Sequence, residues 1–174
     1  MKRAQFTLAA VIFLLSTFAA TAQRSTPKAA VESFYKYDSS HSQIFNKKSI
    51  HSRKPGFTDV LHLYLTKELE RQAEFVRNNP ADKPHFGDGL PFRPLDETCK
   101  IRGRAYRFTP TVGKPSTRGS AATVLVRFAY PKGCTLPATQ YLVRLHKVKN
   151  SWYINDIEYP DGSTLLADLM REQY

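Results

Sequence analysis

A chain of 174 residues holding 26 lysines and arginines against 15 acidic residues carries a net charge of +11. The length fits one domain with a real core. The basic residues are scattered along the chain and form no isolated run, which excludes a basic nucleic-acid-binding tail.

The first 22 residues read as an export signal. Lys2 and Arg3 form a positive start, the stretch from Phe6 to Phe18 is mostly apolar, and Ala20-Thr21-Ala22 is a small-x-small cleavage site. The apolar stretch is too short to span a bilayer. Removing 22 of the 174 residues leaves a single domain of 152, residues 23–174. The leader takes two of the 26 basic residues and none of the 15 acidic ones, so this domain has a net charge of +9. The first cysteine is Cys99, so no cysteine stands at the new N-terminus to receive a lipid. The expected product is periplasmic or secreted, soluble, without a transmembrane span, and not a lipoprotein. Cys99 and Cys134, the two cysteines, are expected to form a disulfide in that oxidising setting.

Along the chain, Thr26-Pro27 opens a helix: threonine caps and proline suits the first helical position. Val31, Phe34 and Tyr35 give it one apolar face, with Asp38 next on that face. The polar stretch 42–56, ending in Pro55-Gly56, reads as a loop. A longer helix runs from Thr58 or Asp59 to about Arg77, with Val60, Leu61, Tyr64, Leu65, Leu69, Phe75 and Val76 facing the core and Glu68, Glu70 and Glu74 facing water. Residues 80–98 are rich in Pro and Gly and read as a surface loop whose His85, Phe86 and Phe92 pack on something.

From Cys99 the pattern is that of sheet. Residues 101–108 read as one strand, 109–119 as a loop, and 121–130 as a strand with Val124, Val126, Phe128 and Tyr130 in phase. Folding these two strands together brings Cys99 near Cys134. Strands over 140–148 and 152–159 flank a turn at Lys149-Asn150-Ser151. Trp152 and Ile154 lie in one phase and Ile157 in the other, so a bulge near Asn155-Asp156 is required to keep both inside. Asp161-Gly162-Ser163 then caps a short helix with Leu165, Leu166, Leu169 and Met170 on one side. Segregated helices and strands predict an α+β fold: N-terminal helices on a curved antiparallel sheet of about four strands, closed by a short C-terminal helix.

The helix with Ala30-Val31-x-x-Phe34-Tyr35, the helix with Tyr64-Leu65-Thr66-x-x-Leu69, and Trp152-Tyr153-Ile154-Asn155-Asp156-Ile157 followed by Asp161-Gly162 and Leu165 resemble the cone-shaped NTF2-like fold. More narrowly they are similar to the DUF3828 group of exported bacterial proteins of unknown function. The likeness spans roughly residues 27–170. Two departures stand out: many members of that group carry an Asp-Pro-Phe type motif where this chain has Asp88-Gly89-Leu90-Pro91-Phe92, and this chain lacks the cysteine of the lipid-anchored members. The resemblance implies a pocket between helices and sheet, used in different branches for catalysis, small-ligand binding or protein association.

The chemistry-bearing residues are few. No two of His41, His51, His62, His85 and His146 have His-x-x-x-His spacing, so no metal and no cofactor is expected. Serine-nucleophile and phosphate-loop patterns are absent, and no catalytic residue is assigned. Asp38 with Tyr35, Tyr64 and Tyr141 are the candidates for a polar pocket lining. Asp156 and Glu158, two apart on the last strand, are read as an exterior acidic pair. Arg102, Arg104, Arg127 and Arg144 are candidates for one basic sheet face, suited to an anionic envelope component or an acidic protein. A homodimer through the sheet is also considered. The function expected is a non-enzymatic binding or protein-interaction domain; the alternatives are a pocket enzyme or small-ligand carrier, and an immunity-type inhibitor of a toxic enzyme.

Overall fold

The computed structural model describes residues 24–95 and 97–171. The expected export signal lies outside them. Helix α1 is Pro27–Ser39, with the Thr26 side chain accepting from the Ala29 N–H at 3.2 Å. Its Val31, Phe34, Tyr35 and Asp38 are buried, as the spacing predicts. The stretch expected as a loop is helical instead: α2 is Lys47–Arg53, followed by a 3-10 turn at Lys54–Gly56. Asn46 caps α2 by accepting from the Ser49 N–H at 2.8 Å. Ile50 is its only buried apolar residue, so the sequence carries no amphipathic period that would reveal it.

Helix α3 is Asp59–Asn78, capped by Thr58. Leu61 and Leu65 are buried, but Val60 and Val76 are exposed and Glu68 is fully buried, which reverses their expected sides. The true stripe is Leu61, Leu65, Glu68 and Gln72. The described residues of the segment 80–98 run without helix or strand, yet Leu90 and Phe92 belong to the core.

The sheet region differs from expectation in two places. Residues 101–108 are not one strand but part of a small hairpin, β1 (Cys99–Ile101) with β2 (Arg104–Tyr106). Arg102 and Gly103 both have positive φ, 50° and 79°, the conformation of a two-residue hairpin turn. The first strand of the main sheet is β3 (Thr109–Arg118), where a Pro/Gly loop was expected. It continues through β4 (Ala121–Ala129), β5 (Thr139–Val148) and β6 (Ser151–Glu158), antiparallel throughout in the order β3-β4-β5-β6. Pro110 and Pro115 are tolerated because β3 is an edge strand with no strand on its outer side among the described residues. A register shift between Val112 and Pro115 bends that edge.

Arg144 pairs with Asp156 and Leu145 with Ile154, which leaves Asn155 as the expected bulge in β6. Trp152, Ile154 and Ile157 are therefore all buried. The concave side receives the helices, and its core is built by Val124, Val126, Phe128, Val143, Leu145 and Trp152 against α1 and α3. The free edge of β6 is covered: Thr58 N–H donates to Ile154 O at 2.9 Å and Trp152 N–H to Arg24 O at 3.1 Å. Helix α4, Leu165–Met170, is capped by Thr164 rather than by the 161–163 turn, where Asp161 accepts from Ser163 N–H at 3.0 Å. Leu165 and Leu169 are buried and Met170 is exposed.

The Cys99–Cys134 disulfide is present, with Cα atoms 6.0 Å apart. It ties the β1–β2 hairpin to the connection between β4 and β5. The two cysteines meet because both lie beyond the Thr109–Ala129 pair that ends the β3–β4 ladder. The fold is thus α+β, helices on one face of a curved antiparallel sheet. No helix among the described residues is long and apolar enough to cross a membrane.

Candidate functional site

Three of the four expected pocket residues lie in the interior, where Tyr35 and Asp38 bond the protein to itself and Tyr141 packs among aromatic rings. Tyr35 on α1 is buried and its hydroxyl donates to Phe92 O at 2.9 Å. A train of edge-on ring contacts follows: Tyr35 to Phe128 at 5.4 Å, Phe128 to Tyr141 at 5.2 Å, and Tyr141 to Tyr159 at 5.2 Å. Tyr159 closes it by donating to Pro91 O at 3.1 Å. Burial, and then the neighbouring Asp38 charge, raises the Tyr35 phenol well above its ordinary value. Burial and Asp161 push Tyr141 up to about 12. These phenols stay protonated at neutral pH, as donors rather than bases. Tyr64 stands apart on α3, half-buried, with the Lys67 ammonium 5.3 Å from its ring.

Asp38 is wholly buried at the end of α1. Its Oδ1 accepts from Arg53 Nε at 2.7 Å, and Arg93 Nε stands 3.8 Å from Oδ2. The same Arg53 donates from Nη1 to Ser49 O and from Nη2 to Ser42 O, both at 3.0 Å. Burial raises the Asp38 carboxyl, and the Arg53 guanidinium opposes the rise without cancelling it. Helix α2, which the hydrophobic pattern does not show, exists where this pair needs it: it delivers Arg53 to Asp38.

A second interior carboxylate was expected in water. Glu68 Oε1 accepts from Gln72 Nε2 at 3.0 Å, Oε2 lies 2.7 Å from Arg71 Nη2, and His85 Nδ1 lies 3.5 Å from Oε1. Burial alone would raise the Glu68 carboxyl; hydrogen bonds from His85 and Gln72 and the Arg71 charge outweigh it, and the net shift is downward. Arg71 also donates to Leu169 O and Arg171 O, so the group ties α3 to the end of α4. The sequence holds one signal for this: Glu68 falls seven residues after Leu61, on the stripe of the buried leucines.

Asp38–Arg93, Tyr35–Phe92, Tyr159–Pro91 and Glu68–His85 all grip the same segment, residues 80–98. The polar groups most suggestive of chemistry therefore clamp the Pro/Gly segment over the helix–sheet core. A cleft of about 220 Å³ does open beside α1, lined by Arg24, Phe34, Tyr37, Arg53, Pro55 and Trp152. It takes in none of Tyr35, Asp38, Tyr64 or Tyr141.

Asp156 is not the exterior charge its strand alternation predicts. It is buried, and its Oδ1 accepts from Ile157 N–H at 2.8 Å and Leu166 N–H at 2.9 Å, holding the start of α4 against β6. The bulge at Asn155 and the helix laid over the strand edge enclose it. Glu158 is half-exposed and pairs with Arg144 across the strands. The four arginines divide between two sheets: Arg102 and Arg104 belong to the small hairpin, Arg127 and Arg144 to the outer face of the main sheet. Among the described residues no three His, Cys, Asp or Glu side chains gather as metal ligands.

No protein-family model, no curated protein and no solved structure matches this chain. Its class therefore follows from its own architecture: an α+β domain whose interior carboxylates face arginines and whose Tyr35 and Tyr159 phenols donate to backbone carbonyls.

Proposed function

We propose that this is an exported, NTF2-like binding or protein-interaction domain of the DUF3828 type that carries out no chemistry of its own. The observation that carries this reading is the use of the interior polar groups. Asp38 is held by a buried arginine, and Tyr35 and Tyr159 donate to backbone carbonyls of residues 91–92. A general base must reach its substrate's proton, and a carboxylate enclosed with its counter-ion does not. The disulfide supports export to an oxidising compartment. Function is argued from the site and not from the fold, which serves many activities.

The test is a screen of the mature protein against hydrolysis and isomerisation substrates, with Asp38→Asn alongside. No turnover above buffer is expected. Turnover that Asp38→Asn removes while the fold persists would replace this reading with the pocket-enzyme one.

A further inference from the structure

Among the described residues no helix packs on the convex side of the main sheet, and its alternating residues form one continuous surface. Register places Arg118, Ala121 and His146 in one row, Ser116, Thr123 and Arg144 in the next, then Leu125 and Leu142, then Arg127 and Gln140. The small side chains of Ser116, Ala121 and Thr123 floor a groove of about 420 Å³ whose sides are Arg118, Arg144 and His146. A second groove shares Leu142 with it and runs over Leu125, Tyr159 and Pro160, with Thr139, Gln140 and Glu158 on its polar side. Leu125 is 42% exposed.

We propose that this convex face is a docking surface for an acidic, leucine-bearing segment of a partner protein, the arginine-sided groove taking its carboxylates and the Leu125–Leu142 groove its apolar side chain. The proposal rests on the binding-domain reading above and gives it a surface and a partner chemistry. Charge decides the sign. Arg118 beside the groove and Arg127 beyond Leu125 make no ion pair among the described residues, whereas Arg144 is already paired with Glu158 and stands opposite Asp156 in register, so Arg118 and Arg127 are the open cations of this face. An uncompensated cationic face steers an acidic partner and repels a basic one.

Three other occupants fit less well. In a two-fold dimer through this face the same patch meets itself, so its net positive charge would be set against an equal positive charge. An anionic glycan or a lipid headgroup layer satisfies the cations but offers no isolated apolar side chain to the Leu125–Leu142 groove. Addition of a strand at the β3 edge is hindered by Pro110 and Pro115, which lack N–H donors, and by the bend at Val112–Pro115.

The experiment is an NMR titration of the mature protein with a synthetic peptide of glutamates and leucines at helical spacing, at low and at physiological salt. A glutamate-only peptide, anionic phosphatidylglycerol vesicles and sedimentation of the protein alone run in parallel. Expected are amide shifts confined to residues 121–127 and 140–146, binding about tenfold weaker for the leucine-free peptide, and a further loss of about tenfold in R118E/R127E, whose thermal melt is unchanged. Shifts centred on Arg102 and Arg104, or affinity indifferent to R118E/R127E, would overturn the proposal. Equal affinity for the leucine-free peptide would overturn its apolar half. Vesicle binding that exceeds peptide binding and is lost in R118E/R127E would assign the face to a membrane, and a dimer dispersed by R118E/R127E would assign it to a second copy. Peptide binding elsewhere on the molecule sinks this surface and leaves the binding-domain reading standing; Asp38-dependent turnover sinks that reading whatever this face binds.

Discussion

His85 Nδ1 lies 3.5 Å from Glu68 Oε1, joining a Pro/Gly-rich segment to the buried stripe of a helix that also carries Leu61, Leu65 and Gln72. Glu68 is enclosed, and its partners come from its own helix and from that segment. The contact makes the packing of residues 80–98 depend on an ionised interior group.

That dependence has a definite sign. The folded state holds the Glu68 carboxyl below its ordinary value, so the group contributes stability that is present above its unfolded value of about 4.5. The contribution is lost as pH falls through the lower folded value. Urea unfolding between pH 7 and pH 3 should show a falling midpoint below about pH 5. In E68Q that part of the slope should be absent, at the expense of lower stability at pH 7.

Arg53 is the direct counter-charge of Asp38, and both side chains are almost wholly enclosed, 1% and 0% exposed. Removing one partner of such a pair leaves the other buried and uncompensated, which costs about 3–5 kcal/mol. R53A should therefore lose most of the stability of an ordinary domain, measured by chemical denaturation. The double variant D38L/R53M should recover much of it, because exchanging a buried pair for apolar side chains of similar volume is often neutral or better.

Phe92 is fully buried although it stands in an irregular segment, with Phe34 and Phe57 rings 5.6 Å and 5.1 Å away. F92A should cost about 3–5 kcal/mol, the figure for a core aromatic. F86A should cost less, since Phe86 is only partly buried against the core. Melting temperatures of the two variants check the order, and equal effects would contradict the placement of Phe92 in the core.

The disulfide closes a 35-residue separation across the hairpin and the β4–β5 connection. On the chain-entropy estimate C99S/C134S should be destabilised by about 3–4 kcal/mol. Thiol titration of the denatured, unreduced protein should find no free thiol, and finding both free would refute the bond.

Much of the framework is legible along the chain because it is written in local periodicity and caps. Thr26-Pro27 begins α1 and Thr58 begins α3 where expected, and the phase change between Ile154 and Ile157 required the bulge that Asn155 supplies. Cys99 and Cys134, the two cysteines, paired as expected. What stayed hidden carries no period of its own. Strand β3 holds two prolines and a glycine, and it is a strand because β4 offers it a partner and the open edge forgives the missing donors. Helix α2 has one buried apolar residue and is fixed by Arg53 reaching Asp38.

The candidate site followed the same division. Tyr35 and Asp38 were found by helical spacing, which reports that a residue faces inward but not what it meets there. Whether the interior held an open pocket depended on residues far away in the chain: Phe92, Arg93 and Tyr159 fill and bond that space, and Asp156 was drawn inside by α4. The sequence by itself determined the class of fold, the two helix starts, the bulge and the disulfide, because each follows from neighbours a few residues apart or from there being two cysteines to pair. Only the tertiary structure decided which charges are buried and which face is left bare, because desolvation and ion pairing are set by contacts between distant segments.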